Sequence, residues 1–199
     1  PIEKDLEHYL DPQAKLCDVI SKWETALREK GSGKFENSRV IQLTYKSRLY
    51  WKHSVKLETD KEKLLLCYQI NQQIVQGRFP LSRDLALELA SLIAQIDMGE
   101  IGEKSKGTSL QAIDKFYPYR YRDVLSAEGL KELQELLASK WILLKGRSVM
   151  DCVRIYLTCA RKWSFFGASL FQAKPRHMDL AMVWLAVSED ALHILDLSS

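Results

Sequence analysis

The chain has 199 residues, of which 46% are hydrophobic and 28% are charged, a balance typical of globular domains that bury a core. Its 29 basic and 26 acidic residues leave a formal net charge of +3, which is too small to indicate a dedicated nucleic-acid-binding domain. The longest apolar stretches, such as residues 180–187, fall far short of the ~20 residues that span a bilayer. The first ten residues carry three acids and no apolar run, so we expect neither a transmembrane helix nor a signal peptide.

Cysteine usage indicates the redox environment. The cysteines are Cys17, Cys67, Cys152 and Cys159, none of which forms a C-x-x-C pair. Each lies among apolar neighbours in a periodic segment, and cysteines in such segments are usually buried and reduced. The pattern therefore predicts core thiols and a cytosolic location.

The N-terminal part predicts one helix followed by strands. Apolar side chains recur at helical spacing over residues 12–29. Asp11 can cap the start of this helix, and Pro12 suits its first position. Alternation of apolar and polar residues over 41–45, and again over 49–57, then predicts two half-buried strands. One helix and two strands amount to half of a small α+β lobe.

The apolar pattern changes to helical spacing at Thr59. Thr59 with Glu62, and later Ser148 with Asp151, have the spacing of capping boxes. Four amphipathic helices are predicted, over residues 59–76, 82–98, 126–145 and 148–164. Between the second and third, the Gly-rich residues 99–110 predict a loop, and the aromatic residues 116–121 predict an irregular packed segment. Consecutive helices with mostly short connections predict a compact helical bundle.

Strand patterns return after this bundle. Residues 168–171, 180–187 and 191–197 predict three strands, the last two joined by a turn at 188–190. Strands with apolar faces need a partner layer, and no sequence follows that could supply one. We therefore expect a complete helical lobe at residues 59–164 between two incomplete β-containing lobes at 1–58 and 165–199.

Several motifs in this order resemble the FERM domain. The middle of the chain is similar to the FERM second lobe in Leu65-Leu66-Cys67-Tyr68-Gln69, in Phe116-Tyr117-Pro118, and in Trp163 followed by Phe165-Phe166-Gly167. Near the N-terminus, residues 15–20 with Trp23-Glu24 resemble the subgroup that follows a myosin-tail homology domain. That subgroup includes unconventional myosin tails and pleckstrin homology domain-containing family H proteins, and the resemblance is greater to the latter.

The resemblance implies a mostly α fold with flanking β structure. Its centre would be a four-helix bundle like acyl-CoA-binding protein. The flanking parts would be an incomplete ubiquitin-like α+β lobe and an incomplete pleckstrin-homology-like β lobe. The helix that closes the FERM third lobe, which borders the usual peptide groove of the family, is not found in this sequence, so we expect binding to use other surfaces.

Enzymatic motifs are incomplete. Residues 102–109 have the glycine spacing of a phosphate-binding loop, but Thr108 replaces the essential lysine and the loop follows a helix. None of the histidines, which are His8, His53, His177 and His193, forms an i, i+4 pair of a zinc motif. No G-x-S-x-G elbow is present. We therefore predict no enzymatic activity, no catalytic residue, no metal site and no cofactor.

Two basic stretches are the strongest candidates for a site. Residues 39–56 carry five cations and no acid, and residues 140–176 carry eight cations and one acid. Either these charges are dispersed and paired with acids, or they form an electropositive face in which each Lys or Arg contributes about 1 kcal/mol on an anionic membrane. Nucleic acid is the least favoured partner. The lipid-binding candidates are Lys46, Arg48, Lys52, Lys145, Arg147, Arg154, Arg161 and Lys162.

The resemblance implies a non-enzymatic module that links membrane proteins or phosphoinositides to the cytoskeleton. Its partners would be cytoplasmic tails, inner-leaflet phosphoinositides and cytoskeletal proteins, and its location cytoplasmic, peripheral to the membrane or cytoskeleton. The alternative is a protein–protein scaffold or cargo-type module without lipid binding. A shared face for residues 39–56 and 140–176 favours the lipid hypothesis, whereas interleaved acids disfavour it.

Overall fold

A computed structural model of the chain describes residues 9–30, 43–47, 49–52, 58–79, 81–102, 106–174, 176 and 182–196. The chain forms two compact units, Pro1–Tyr45 and Lys46–Ser199. Among the described residues no helix is long and apolar enough to cross a bilayer. The division into three lobes at residues 58 and 164 stays a prediction.

Helix α1 (Leu16–Lys30) is the regular element in the described part of the first unit. It begins later than predicted because Asp11 closes a turn before it. The Asp11 carboxylate accepts the N–H of Gln13 at 2.9 Å, and its carbonyl accepts the N–H of Ala14 at 3.0 Å. Asp11 therefore does not cap the helix. Cys17 is exposed, so the prediction that it is buried is wrong.

The strands predicted between residues 41 and 57 are not found in the part that the structure describes. Residues 43–47 and 49–52 have no strand assignment, and Ile41 and residues 53–57 lie outside the described residues. Tyr50, predicted on the polar side, is only 8% exposed, whereas Leu49 is 57% exposed. The predicted buried face is wrong here because the segment packs on helices rather than in a sheet, and a tyrosine can bury its ring while its hydroxyl finds a partner.

The second unit contains six helices in the described part of the chain. These are α2 (Asp60–Val75), α3 (Arg83–Met98), α4 (Lys106–Phe116), α5 (Tyr119–Arg122), α6 (Ala127–Ile142) and α7 (Val149–Arg161). Helix α3 packs against α2, α4, α6 and α7, which explains why it is apolar on nearly every side. Trp141, Tyr156 and Ile70 are among the largest fully buried side chains of this core.

The prediction of a loop over residues 99–110 is wrong from Lys106 onward, because helix α4 begins there. Lys106–Phe116 is helical despite the glycine at its second position. Ala112, Ile113 and Phe116 are buried, and their helical spacing explains the packing that outweighs the poor local propensity. The bundle therefore contains this helix and the single turn α5 in addition to the four predicted helices.

The capping box at the start of α2 is confirmed. The Thr59 hydroxyl accepts the N–H of Glu62 at 3.3 Å, and the Glu62 carboxylate accepts the N–H of Thr59 at 2.7 Å. The Thr59 N–H, first, and the Thr59 hydroxyl, which donates to the same carboxylate at 2.7 Å, lower the pKa of Glu62.

We expect Thr59→Ala to destabilise the chain by about 1 kcal/mol, because it removes a helix cap. A carboxyl with a depressed pKa contributes stability above its unfolded pKa and loses it as the pH falls through its folded value. The substitution should therefore cost less at acid pH, as measured by urea unfolding at neutral and acid pH. Thr59→Ser, which keeps the hydroxyl, is the control; an equal loss in both variants would contradict the capping role.

Three strands follow the bundle in the residues that the structure describes. β1 (Ser169–Ala173), β2 (Val183–Val187) and β3 (Leu192–Asp196) form an antiparallel sheet in the order β1-β2-β3. Phe171 pairs with Leu185, which pairs with Ile194. The predicted fold class, a helical bundle with flanking β structure, is confirmed.

Two of the remaining cysteines behave as predicted. Cys67 and Cys152 are buried, and Cys159 is half-buried. Burial raises the pKa of the Cys67 thiol to about 12, so this thiol is protonated at neutral pH. None of the four cysteines, all of which lie in the described residues, forms a disulfide.

Candidate functional site

The predicted lipid-binding residues fall into separate groups. Arg48 lies outside the described residues, and Lys46 is half-buried in the segment before α2. One group contains Arg154 and Arg161, which lie on α7, and Lys52, which contacts the carbonyl of Ser164 just after this helix. A second group lies in residues 142–149, which we term the α6–α7 turn, and contains Lys145 and Arg147. Lys162 is exposed just after α7.

Lys52 is the point where the two basic stretches meet. Its Nζ donates to the carbonyl of Ser164 at 3.2 Å. Its backbone N–H donates to the Glu189 carboxylate, in the β2–β3 turn, at 3.1 Å. An acid therefore lies directly beside the contact between the two stretches.

Arg161 forms an ion pair that is largely removed from solvent. Its Nη2 lies 2.8 and 2.7 Å from the two carboxylate oxygens of Glu58. The side chains of Arg161 and Glu58 are only 12% and 14% exposed, and the guanidinium also lies over the Phe166 ring at 5.6 Å. This geometry makes Arg161 a structural partner of Glu58 and leaves little of its charge facing solvent.

Arg154 also has acidic neighbours. Its guanidinium lies 3.3 Å from Asp151 on the same helix and 3.9 Å from Asp60 on α2. The hydroxyl of Ser148, first, and the charges of Arg154 and Arg147 lower the pKa of Asp151. Acids therefore interleave with cations along this side of α7, which is the arrangement that disfavours a broad electropositive face.

The α6–α7 turn differs because its two cations are exposed and neither forms a salt bridge with a described residue. Gly146 has φ +79°, which permits the reversal between the helices. Its N–H donates to Glu100 at 2.8 Å, so the nearby acid is engaged by the backbone. Lys145 and Arg147 lie on either side of this glycine.

The end of α6 holds the turn in place. Trp141 is buried, and its indole N–H donates to the Gln95 side chain at 2.9 Å and to the Gly99 carbonyl at 3.0 Å. Leu144 is also buried. The buried residues Trp141 and Leu144 therefore flank the exposed pair Ile142 and Leu143, and Trp141 fixes the turn to the end of α3.

Sequence reasoning missed two residues of this turn. Ile142 and Leu143 are 55% and 78% exposed. The signal was present, because both fall outside the buried stripe, which consists of Leu133, Leu137, Trp141 and Leu144. Leu136, which lies in the same run of leucines, is 48% exposed, so the buried stripe is narrower than that run suggests.

Metal chemistry has no obvious location on this surface. In the described ranges, no cluster of three or more His, Cys, Asp or Glu side chains could hold a metal ion. The described surface instead presents exposed charged and apolar side chains beside the helical bundle.

Comparison with known proteins identifies a domain. The model of the FERM central domain family matches residues 52–171. A Drosophila melanogaster protein, Uncharacterized protein CG43867, is 72% identical over 210 aligned residues, which cover 100% of this chain and 12% of that protein. The chain thus spans about one-eighth of the length of that relative.

Solved structures show the same fold. The FERM domain of Drosophila Merlin, in a complex with its C-terminal domain, has a TM-score of 0.66 at 16% identity, covering 98% of this chain and 73% of that one. The C-terminal MyTH4-FERM domain of human myosin 7b, in complex with the harmonin-a PDZ3 domain, has a TM-score of 0.64 at 14% identity, covering 89% and 36%. Identities this low show the fold alone.

Proposed function

We propose a function for this chain from one premise, namely that it belongs to the FERM central domain family. The chain acts by binding, as a non-enzymatic interaction module that connects membranes or membrane proteins to the cytoskeleton. The observation that carries this proposal is the family match over residues 52–171, supported by the fold of the whole second unit. A cytoplasmic location, peripheral to the membrane or cytoskeleton, is part of the same proposal.

The membrane part of the proposal rests on the cations that face solvent. Lys145, Arg147 and Lys162 are exposed, and none forms a salt bridge with a described residue. Phosphoinositide head groups are anionic, and each cation near such a surface contributes about 1 kcal/mol. Arg161 and Arg154 contribute less, because Glu58, Asp60 and Asp151 neutralise them.

A protein–protein scaffold without lipid binding is the second candidate. The observation that favours it is the pairing of Lys52, Arg154 and Arg161 with neighbouring groups, which removes much of the predicted basic face. Its partners would be cytoplasmic tails or other proteins. The human myosin 7b structure, in which a domain of the same fold holds a PDZ domain, is consistent with such a role.

Vesicle sedimentation separates the two candidates. We expect the chain to sediment with phosphoinositide-containing vesicles at low salt. Charge reversal by Lys145→Glu with Arg147→Glu should weaken binding at least about tenfold, because it removes two favourable charges and adds two unfavourable ones.

Lys131→Glu is the matched control, since Lys131 is exposed on the first half of α6. It should leave binding unchanged. Sedimentation no greater than with neutral vesicles would overturn the membrane part. Pull-down by receptor-tail peptides that is insensitive to the double reversal would then support the scaffold.

A further inference from the structure

The end of α6 presents aliphatic side chains to solvent at the α6–α7 turn. Leu143 is 78% exposed, and among the described large apolar side chains only Tyr45, at 92%, is more exposed. Ile142 is 55% exposed and Val149, across the turn, is 46% exposed. Single exposed leucines are common on protein surfaces, whereas contiguous exposed apolar side chains can mark an interaction site, and Ile142 and Leu143 are adjacent and both more than half exposed.

Charge changes sign along α6 toward this turn. Residues 126–135 carry three acids and one lysine, whereas residues 136–150 carry three cations and no acid. Lys140 is paired with Glu88 at 2.7 Å, which leaves Lys145 and Arg147 as the exposed cations. Exposed apolar side chains and exposed cations therefore coincide at one end of α6, where Glu100 and Asp151 are the neighbouring acids, and the acids of α6 itself lie toward its other end.

The turn is a fixed element rather than a frayed helix end. The N–H of Leu144 donates to the Trp141 carbonyl at 3.0 Å, and the N–H of Lys145 donates to the Ile142 carbonyl at 3.1 Å. Together with the Gly146–Glu100 contact, these hydrogen bonds fix the backbone of the turn with the Leu143 side chain exposed. The backbone therefore does not have to become ordered when Leu143 is buried against a partner. A preorganised apolar tip loses little conformational entropy when it is buried.

We propose that Ile142 and Leu143 insert into the boundary between head groups and acyl chains of an anionic membrane, with Lys145 and Arg147 at the level of the phosphates. This inference rests on the membrane part of the proposed function and specifies which side chains contact the lipids. Interfacial segments bury apolar side chains ~5–10 Å deep while basic residues contact anionic lipid. Protein hot spots, in contrast, are enriched in Trp, Tyr and Arg, with leucine under-represented.

The test compares the two ends of α6. Leu143→Glu should weaken sedimentation with anionic vesicles at least about tenfold, because it replaces an inserted apolar group by a charge that the lipids repel. Val124 is a matched control, since it is 70% exposed and lies just before α6. Val124→Glu should sediment like the unchanged chain. Both variants alter exposed side chains, so their far-UV circular dichroism should be unchanged.

A depth measurement gives a second readout. Leu143→Trp should be quenched by lipids brominated near the head group, beyond the quenching of the unchanged chain, and Val124→Trp should not. Normal vesicle binding by Leu143→Glu, together with an unquenched Leu143→Trp, would overturn insertion while leaving the membrane function intact. Failure of the unchanged chain to bind anionic vesicles would overturn both.

Discussion

Replacement of Arg161 by methionine is expected to destabilise the chain by about 3–5 kcal/mol, because it removes the guanidinium that lies against the largely buried Glu58 carboxylate. Both side chains are less than 15% exposed, and two N–O contacts of 2.7 and 2.8 Å join them. Glu58 precedes α2, and Arg161 ends α7. The pair therefore ties the entry of the bundle to its last helix. Urea unfolding followed by circular dichroism measures the loss.

Arg154→Met is the matched control, since this arginine lies seven residues earlier on the same helix and its side chain is 57% exposed. Its loss should cost no more than about 1 kcal/mol, as for most surface pairs. Glu58→Gln combined with Arg161→Met should recover part of the stability, because the double variant also removes the largely buried carboxylate charge. Similar losses for the two arginine variants would contradict the buried pair.

Gly167→Ala is expected to destabilise the chain by about 3 kcal/mol, from two added costs. Gly167 has φ +75°, a conformation in which a residue with a Cβ is strained. A Cβ there would also lie 2.3 Å from the Tyr50 carbonyl oxygen, closer than such atoms approach, so the segment at Tyr50 must move. That movement would disturb the buried Tyr50 ring, which packs edge-on against Phe166 at 5.2 Å.

Gly146→Ala separates the two costs. Gly146 has φ +79°, nearly the same backbone conformation, but no atom lies within 4 Å of an added Cβ. Only the conformational cost of about 1–2 kcal/mol remains. The difference between the two variants, measured by thermal or urea unfolding, reports the contact between Tyr50 and Gly167. Equal losses would show that the segment before α2 does not pack there.

Much of the helical lobe could be predicted from the sequence, because burial and helix geometry repeat along the chain. The start of α2 follows from Thr59 and Glu62, and the core face of α7 follows from the spacing of Cys152, Val153 and Tyr156. Local sequence signals are enough to predict a helix where capping residues and the helical spacing of apolar residues agree with the packing of the fold.

Helix α4 and the segment around Tyr50 could not be predicted in this way. In α4, Gly107, Thr108 and Ser109 are poor helix formers, and tertiary packing of Ile113 decides the outcome. Around Tyr50, alternation indicated a strand, but alternation only shows which side chains differ in polarity. The Tyr50 hydroxyl donates to Gln73 on α2 at 2.8 Å, a partner that the sequence pattern does not reveal.

The sequence predicted which segments of the candidate site are basic, but not which of their cations are exposed. Counting cations located Arg161 and Lys145 equally well, although one is paired inside the fold and the other is exposed. The difference lies in Glu58, an acid about a hundred residues away in sequence from its partner. Pairing across such distances depends on the fold, which is why charge runs alone overstate a basic face.

Hydrogen–deuterium exchange of the chain on anionic and on neutral vesicles tests the central claim most directly. The claim is that this FERM module binds membranes through the α6–α7 turn. We predict slowed exchange in residues 142–149 on anionic vesicles, with the amides of the β1-β2-β3 sheet unchanged. Binding that protects the sheet and leaves residues 142–149 unaffected would contradict it.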